Sequence, residues 1–236
     1  MSAYGRAVWV AVASVAALGI GAGLADSSPL RIERTDLTEP QFKELTMNKP
    51  EFHDINLRDA LFQRCTFTNG KFESCAFSET SFADTKLHKP GFSRVSFEYP
   101  SIHTAGFSYG RFERAEFKGT RFYDCDFDDV IVEYSESDDL HLLRCTGSDW
   151  YVERVELRSL RAEYLQARYA RWNRCDFSHG DFDYADFSSS SLQNVDLQRT
   201  TMRYCDLSDA RIENCDIRGL TIDGVNIEEL LRKAGR

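Results

Sequence analysis

From Arg31 to Leu230 the sequence keeps a period of five with no break in phase. Cut in fives from Arg31 it reads RIERT DLTEP QFKEL TMNKP EFHDI NLRDA LFQRC TFTNG, and the second letter is apolar with few exceptions. All 17 Phe stand on that second position. All seven Cys (Cys65, Cys75, Cys125, Cys145, Cys175, Cys205 and Cys215) stand on the fifth. A period of five matches neither the 3.6 of a helix nor the 2 of an extended strand. It requires a backbone that turns a corner every five residues, with one large and one small side chain pointing inward from each side. Four sides close a square, so a coil takes 20 residues and the 200 residues of the run make ten coils. At ~4.8 Å per coil the rod is roughly 48 Å long, with backbone hydrogen bonds running from coil to coil.

The clearest stretch is CDFSH GDFDY ADFSS SSLQN VDLQR TTMRY CDLSD ARIEN CDIRG, residues 175–219. It resembles the pentapeptide repeat family, whose A(D/N)LXX consensus places Leu or Phe at the centre and a small residue two places before it. The resemblance covers about residues 31–230. It implies an all-β fold, a right-handed quadrilateral parallel β-helix of about ten coils, flanked here by an N-terminal hydrophobic helix and a short C-terminal capping helix. The expected organisation is a signal peptide or transmembrane anchor over 1–26, a linker over 27–30, the β-helix over 31–226 and the capping helix over 227–236.

Stacking every 20 residues predicts internal ladders, one of them Phe52, Phe72, Phe92, Phe112, Val132, Val152, Trp172, Leu192 and Ile212. The middle, Ile131 to Ala170, departs from the consensus. Its centres include Ser137, Gly147, Ala162 and Ala167, whereas the small position holds Leu140, Trp150, Leu160 and Leu165. An interior packs to near-constant density, so the expectation is volume exchange between the two inward positions. Pro40, Pro50, Pro90 and Pro100 all fall on the small position, where a fixed φ and a missing donor suit a corner.

Ala7 to Ala25 run without a charge, a length that spans a membrane. Arg6 before the run and Gly23-Leu24-Ala25 at its end also fit a signal peptide. Either reading puts the rod outside the cytoplasm, with membrane contact through residues 7–25; an ordinary N-terminal extension would leave it in the cytoplasm. At the other end, Ile227 to Arg236 reads as an amphipathic helix with acids first and bases last. It is expected to cap the open solenoid; the family resemblance also implies a homodimer contact through such a helix.

The chain has 29 Lys+Arg against 38 Asp+Glu, a net charge of −9, which argues against direct nucleic-acid binding. His53, His88, His103, His141 and His179 share no column, and no Ser-His-Asp, P-loop or HExxH pattern appears, so neither a metal nor a cofactor is expected and the chain reads as a non-enzyme. An enzyme would have to use the irregular stretch, with Asp138, Asp139, His141 and Asp149. The cysteines read as buried small hydrophobes, with Cys125 and Cys145 near enough for a bridge. Outside, Arg94, Arg114, Arg154 and Arg174 share one column with Tyr134, beside Glu113, Glu133 and Glu153, as a self-neutralising ladder. Glu116, Glu136, Glu156, Asp176, Asp196 and Asp216 form an acidic column, Asp being a good corner residue. Tyr164, Tyr184 and Tyr204 form a third column, either a binding stripe or a cover for a flat face. Two functions follow. One is an exported or membrane-tethered scaffold for a protein partner, with the tyrosine and arginine columns as its binding residues. The other, implied by the resemblance, is a DNA mimic that binds gyrase or topoisomerase and protects it from inhibitors.

Overall fold

The computed structural model describes residues 30–235. They wind as a parallel β-solenoid of about ten coils. Each side of a coil is a strand of about three residues followed by a corner, as in Lys71–Glu73, Ala76–Ser78, Ser81–Ala83 and Lys86–His88. The register puts residue n on n+20 throughout: Phe52 on Phe72, Phe72 on Phe92, Phe92 on Phe112, and so on to Met202 on Ile222. Residues 7–25, read above as an anchor or signal, lie outside the described residues. Among the described residues no helix is long and apolar enough to cross a membrane.

The interior is built from the second position. Phe52, Phe62, Phe72, Phe82 and Phe92 are fully buried. Along each ladder the rings stack nearly parallel: Phe62 on Phe82 at 4.7 Å and 5°, Phe72 on Phe92 at 4.7 Å and 12°, Phe92 on Phe112 at 4.7 Å and 6°. Across ladders they meet edge to face or tilted, as Phe92 and Phe97 do at 5.7 Å and 61°. Both arrangements suit the ring quadrupole.

The fifth position does more than save space. Its N–H has no coil-to-coil backbone partner, which is why proline fits there. Most hydroxyl side chains there reach a carbonyl 23 residues earlier. Thr80 Oγ1 donates to the Leu57 carbonyl at 3.3 Å and Thr200 Oγ1 to that of Phe177 at 2.8 Å. All seven cysteines do the same, from Cys65 to Phe42 at 3.2 Å through Cys215 to Leu192 at 3.4 Å. Cys thus stands in for Thr, and all seven thiols are free, Cys125 and Cys145 included.

Burial pushes the Cys75 thiol up to about 11 and the Cys175 thiol up to about 12, from 9.0. The folded rod then keeps protons that the unfolded chain loses above pH ~9. This contribution is whole below pH 9 and is lost as pH rises toward 11–12. The urea midpoint is therefore expected to fall steadily above pH 9, and to fall less in a Cys75→Thr, Cys175→Thr variant.

Every fourth position from Arg34 to Gly219 lies in the left-handed region, with φ near +50°, yet only Gly119 and Gly219 are glycine among them. A left-handed residue costs about 1–2 kcal/mol unless it is glycine, or Asn or Asp at lower cost. Here its N–H is spent on the next coil: Glu39 donates to the Arg58 carbonyl at 2.8 Å and Tyr164 to that of Asp183 at 3.0 Å. In the C-terminal half two of the four sides keep only single bridges and close into hydrogen-bonded turns, such as Gly180 N–H to Phe177 carbonyl at 2.9 Å. There Asp supports the corner, Asp186 Oδ1 accepting from Ser188 N–H at 2.9 Å.

In the middle, volume exchange is visible. Trp150 swings over Gly147 and meets Phe127 edge to face at 5.6 Å and Trp172 at 5.7 Å. Leu160 and Leu165 are buried beside the fully buried Ala162 and Ala167. The exchange is incomplete and leaves an apolar hollow of about 80 Å³.

At the C-terminal end the chain reverses at Asp223–Gly224. Thr221–Ile222 pairs antiparallel with Val225–Asn226 across the last coil. Helix α1 (Ile227–Lys233) follows, capped by Asn226, whose side chain accepts from Glu229 N–H at 2.9 Å. None of its residues is fully buried; Ile227 packs against the core, while Leu230 is 52% exposed.

Candidate protein-binding faces

The left-handed corner sends its side chain outward, and seven tyrosines use it: Tyr99, Tyr109, Tyr134, Tyr164, Tyr169, Tyr184 and Tyr204. A bulky residue with positive φ is uncommon. Three of them form one stack along a corner. Tyr164 and Tyr184 lie 5.0 Å apart at 6°, Tyr184 and Tyr204 4.9 Å apart at 16°. They are 53%, 47% and 67% exposed. Desolvation between its neighbours, then the neighbouring phenols themselves, push the Tyr184 hydroxyl above its ordinary pKa.

The arginine column has the opposite character, because each guanidinium is already engaged. Arg94 pairs with Glu73, Arg114 with Glu113 at 3.3 Å, and Arg154 and Arg174 share Glu153 at 3.9 and 3.6 Å. Arg154 also lies over the Tyr134 ring at 5.2 Å. The neighbouring Arg111 pairs with Glu133. These are exposed pairs, each weak, but together they leave little free charge.

The acidic column is partly spent on the backbone. Asp176 accepts from Ser178 N–H at 2.9 Å, Asp196 from Gln198 at 2.8 Å and Asp216 from Arg218 at 3.1 Å. Arg158 pairs with both Glu156 and Asp176, at 3.2 and 2.6 Å. The Arg218 guanidinium holds the Asp216 carboxyl below its ordinary range.

The polar residues of the irregular stretch do not converge. Asp138, Asp139 and Asp149 are exposed, and His141 Nε2 contacts only Asp139, at 2.9 Å. Among the described residues no group of three His, Cys, Asp or Glu is placed to hold a metal ion.

Sequence reasoning placed all three columns but missed the left-handed corner that carries two of them. A signal was present: Asp54, Asp59, Asn69, Asp84, Asp124, Asp129, Asn194 and Asn214 all fall on the fourth position, the residue types that tolerate this conformation.

The family model Pentapeptide repeats matches residues 181–219 with eight copies. No curated protein matches the chain. Among solved structures, the chain is similar to HetL, a pentapeptide repeat protein involved in heterocyst differentiation regulation from the cyanobacterium Nostoc sp. strain PCC 7120. The identity is 13% and the TM-score 0.42, over 90% of this chain and 95% of that one. It is also similar to a trypsin-treated variant of QnrB1, a plasmid-mediated fluoroquinolone resistance protein, at 17% identity and a TM-score of 0.39, over 88% of this chain and 97% of that one. The residues that match the pentapeptide repeat model, 181–219, share their phase and their 20-residue coil with everything back to residue 31.

Proposed function

We propose that the rod is a non-catalytic scaffold that binds a protein partner through the corner bearing Tyr164, Tyr184 and Tyr204. One observation carries this reading. Three large aromatic side chains are held outward at left-handed positions where Asn, Asp or Gly would cost the backbone less. What sets this corner apart from the other left-handed ones is that the three rings stack at 5.0 and 4.9 Å and stay about half exposed or more, a continuous aromatic surface of the kind that marks a contact site. Stacked tyrosines offer a rigid, broad face with little rotamer entropy to lose, as binding hot spots do. The arginine column, neutralised by its glutamates, serves as a polar flank. The nineteen apolar or small residues from Ala7 to Ala25 support an exported or membrane-tethered rod, which N-terminal sequencing of the mature protein from fractionated cells tests.

A DNA-mimic role fits less well. Three acids of the acidic column, Asp176, Asp196 and Asp216, are bound to their own corners, Arg218 pairs with Asp216, and Arg158 pairs with Asp176 and with Glu156. A supercoiling assay with gyrase and micromolar rod is expected to show no effect.

The scaffold reading is tested by changing Tyr164, Tyr184 and Tyr204 to Asn together. Photo-crosslinking in cells from a probe at position 206, beside the stripe, is expected to give a discrete partner adduct that falls at least tenfold in the triple variant. The urea midpoint is expected to stay level or rise, since Asn tolerates the corner better than Tyr. An adduct of undiminished yield in the triple variant would rule out the tyrosine face.

A further inference from the structure

The hollow in the middle of the rod is independent of its outer faces. From Phe52 to Ile102 the inward Phe, Leu and Ile centres are 0–2% exposed. From Phe117 to Leu157 the same kind of residue retains surface: Phe117, Phe127, Leu142, Trp150 and Leu157 at 7%, and Ser137 at 9%. Most of these line the hollow of about 80 Å³. Its origin is a missing ring. The column Phe97, Phe117, Ser137, Leu157 loses its aromatic at Ser137, and the next column narrows at Val132 and Val152 between Phe112 and Trp172. Leu140 and Trp150 enter from the corners without filling the space.

The lining is apolar throughout. Ser137 does not soften it, because its hydroxyl donates to the Glu156 carbonyl at 3.3 Å. A buried water needs two to four polar partners; the space exceeds by far the ~10–15 Å³ that one water requires, but the indole N–H groups of Trp150 and Trp172, buried without a partner, turn no polar surface into it and no acceptor lines it. Such cavities stay dry, and one of about 150 Å³ takes benzene or xenon. About half that volume suits a smaller guest.

We infer that the hollow is a binding site for one small apolar molecule, an apolar gas or light hydrocarbon, held by contact alone between Val132, Val152, Trp150 and Trp172. The two indoles on its wall provide the readout, and xenon is the probe. In full-length chain carrying Trp9→Phe, so that only Trp150 and Trp172 emit, xenon is expected to quench fluorescence along a saturating curve and to raise the thermal midpoint. Ser137→Leu fills the space and is expected to weaken xenon binding at least tenfold while raising the midpoint without xenon. Val152→Leu closes the hollow from another wall and is expected to do the same, which keeps the test valid if Ser137→Leu folds poorly. Quenching that rises linearly with xenon pressure, or a saturating curve unchanged in the filled variants, would overturn the assignment.

Discussion

Gly147→Leu is expected to destabilise the rod by about 3 kcal/mol, although it installs the residue type that the repeat favours at this phase. The reason is local. Even a Cβ at this position would sit 2.1 Å from Trp150 Nε1 and 2.8 Å from the Phe127 carbonyl. The tryptophan occupies the space that a central Leu would use, so the two inward positions of this side have traded volumes. Overpacking a filled interior typically costs 1–3 kcal/mol. The effect should be conditional: in a Trp150→Ala background the same Gly147→Leu change regains some of the lost stability. Urea denaturation of the four proteins of this cycle measures the coupling, expected at about 2–3 kcal/mol. Independent, additive effects would show that the exchange is not what holds the middle coils.

Phe92→Ala is expected to cost about 3–5 kcal/mol. Phe92 stacks on Phe72 below and Phe112 above, each at 4.7 Å, and meets Phe97 and Phe107 from adjacent sides. Removing it opens a void in a column that cannot collapse, because every neighbour is fixed by the coil spacing. In a quasi-one-dimensional array each coil is supported only by its neighbours, so the loss should also divide the rod. Amide exchange is expected to show coils before residue 92 losing protection ahead of those after it, where the unmodified protein exchanges them together. Phe92→Leu, which keeps most of the volume, should cost only about 1 kcal/mol and leave the exchange pattern intact.

How much of this was legible in the sequence follows from which features repeat. The coil, its ladders and the columns at n, n+20 come from one periodicity carried by Phe and Cys, so Phe52, Phe72 and Phe92 could be stacked before any coordinates existed. Trp150 and Gly147 could be paired because interior volume is conserved and their phases were known. The hollow at Ser137 was not legible, since the extent to which Leu140 and Trp150 compensate depends on side-chain direction. The left-handed corner was not legible because its outward residues vary, and only their bias toward Asp and Asn betrays the backbone. The stack of Tyr164, Tyr184 and Tyr204 was legible as a column, but the near-parallel contact of its rings depends on side-chain direction, which periodicity does not encode.

That corner has a consequence for how such a rod changes over generations. The residue there contributes its amide to the neighbouring coil and nothing else to the architecture; its side chain has no packing duty. From Arg34 to Gly219 the molecule therefore presents four vertical files of outward groups, one per storey, on a frame that tolerates many identities at a modest backbone cost. Recognition can be rewritten one letter at a time, charge for ring or ring for amide, without disturbing the column of benzene rings behind it. Shape and specificity are inherited separately.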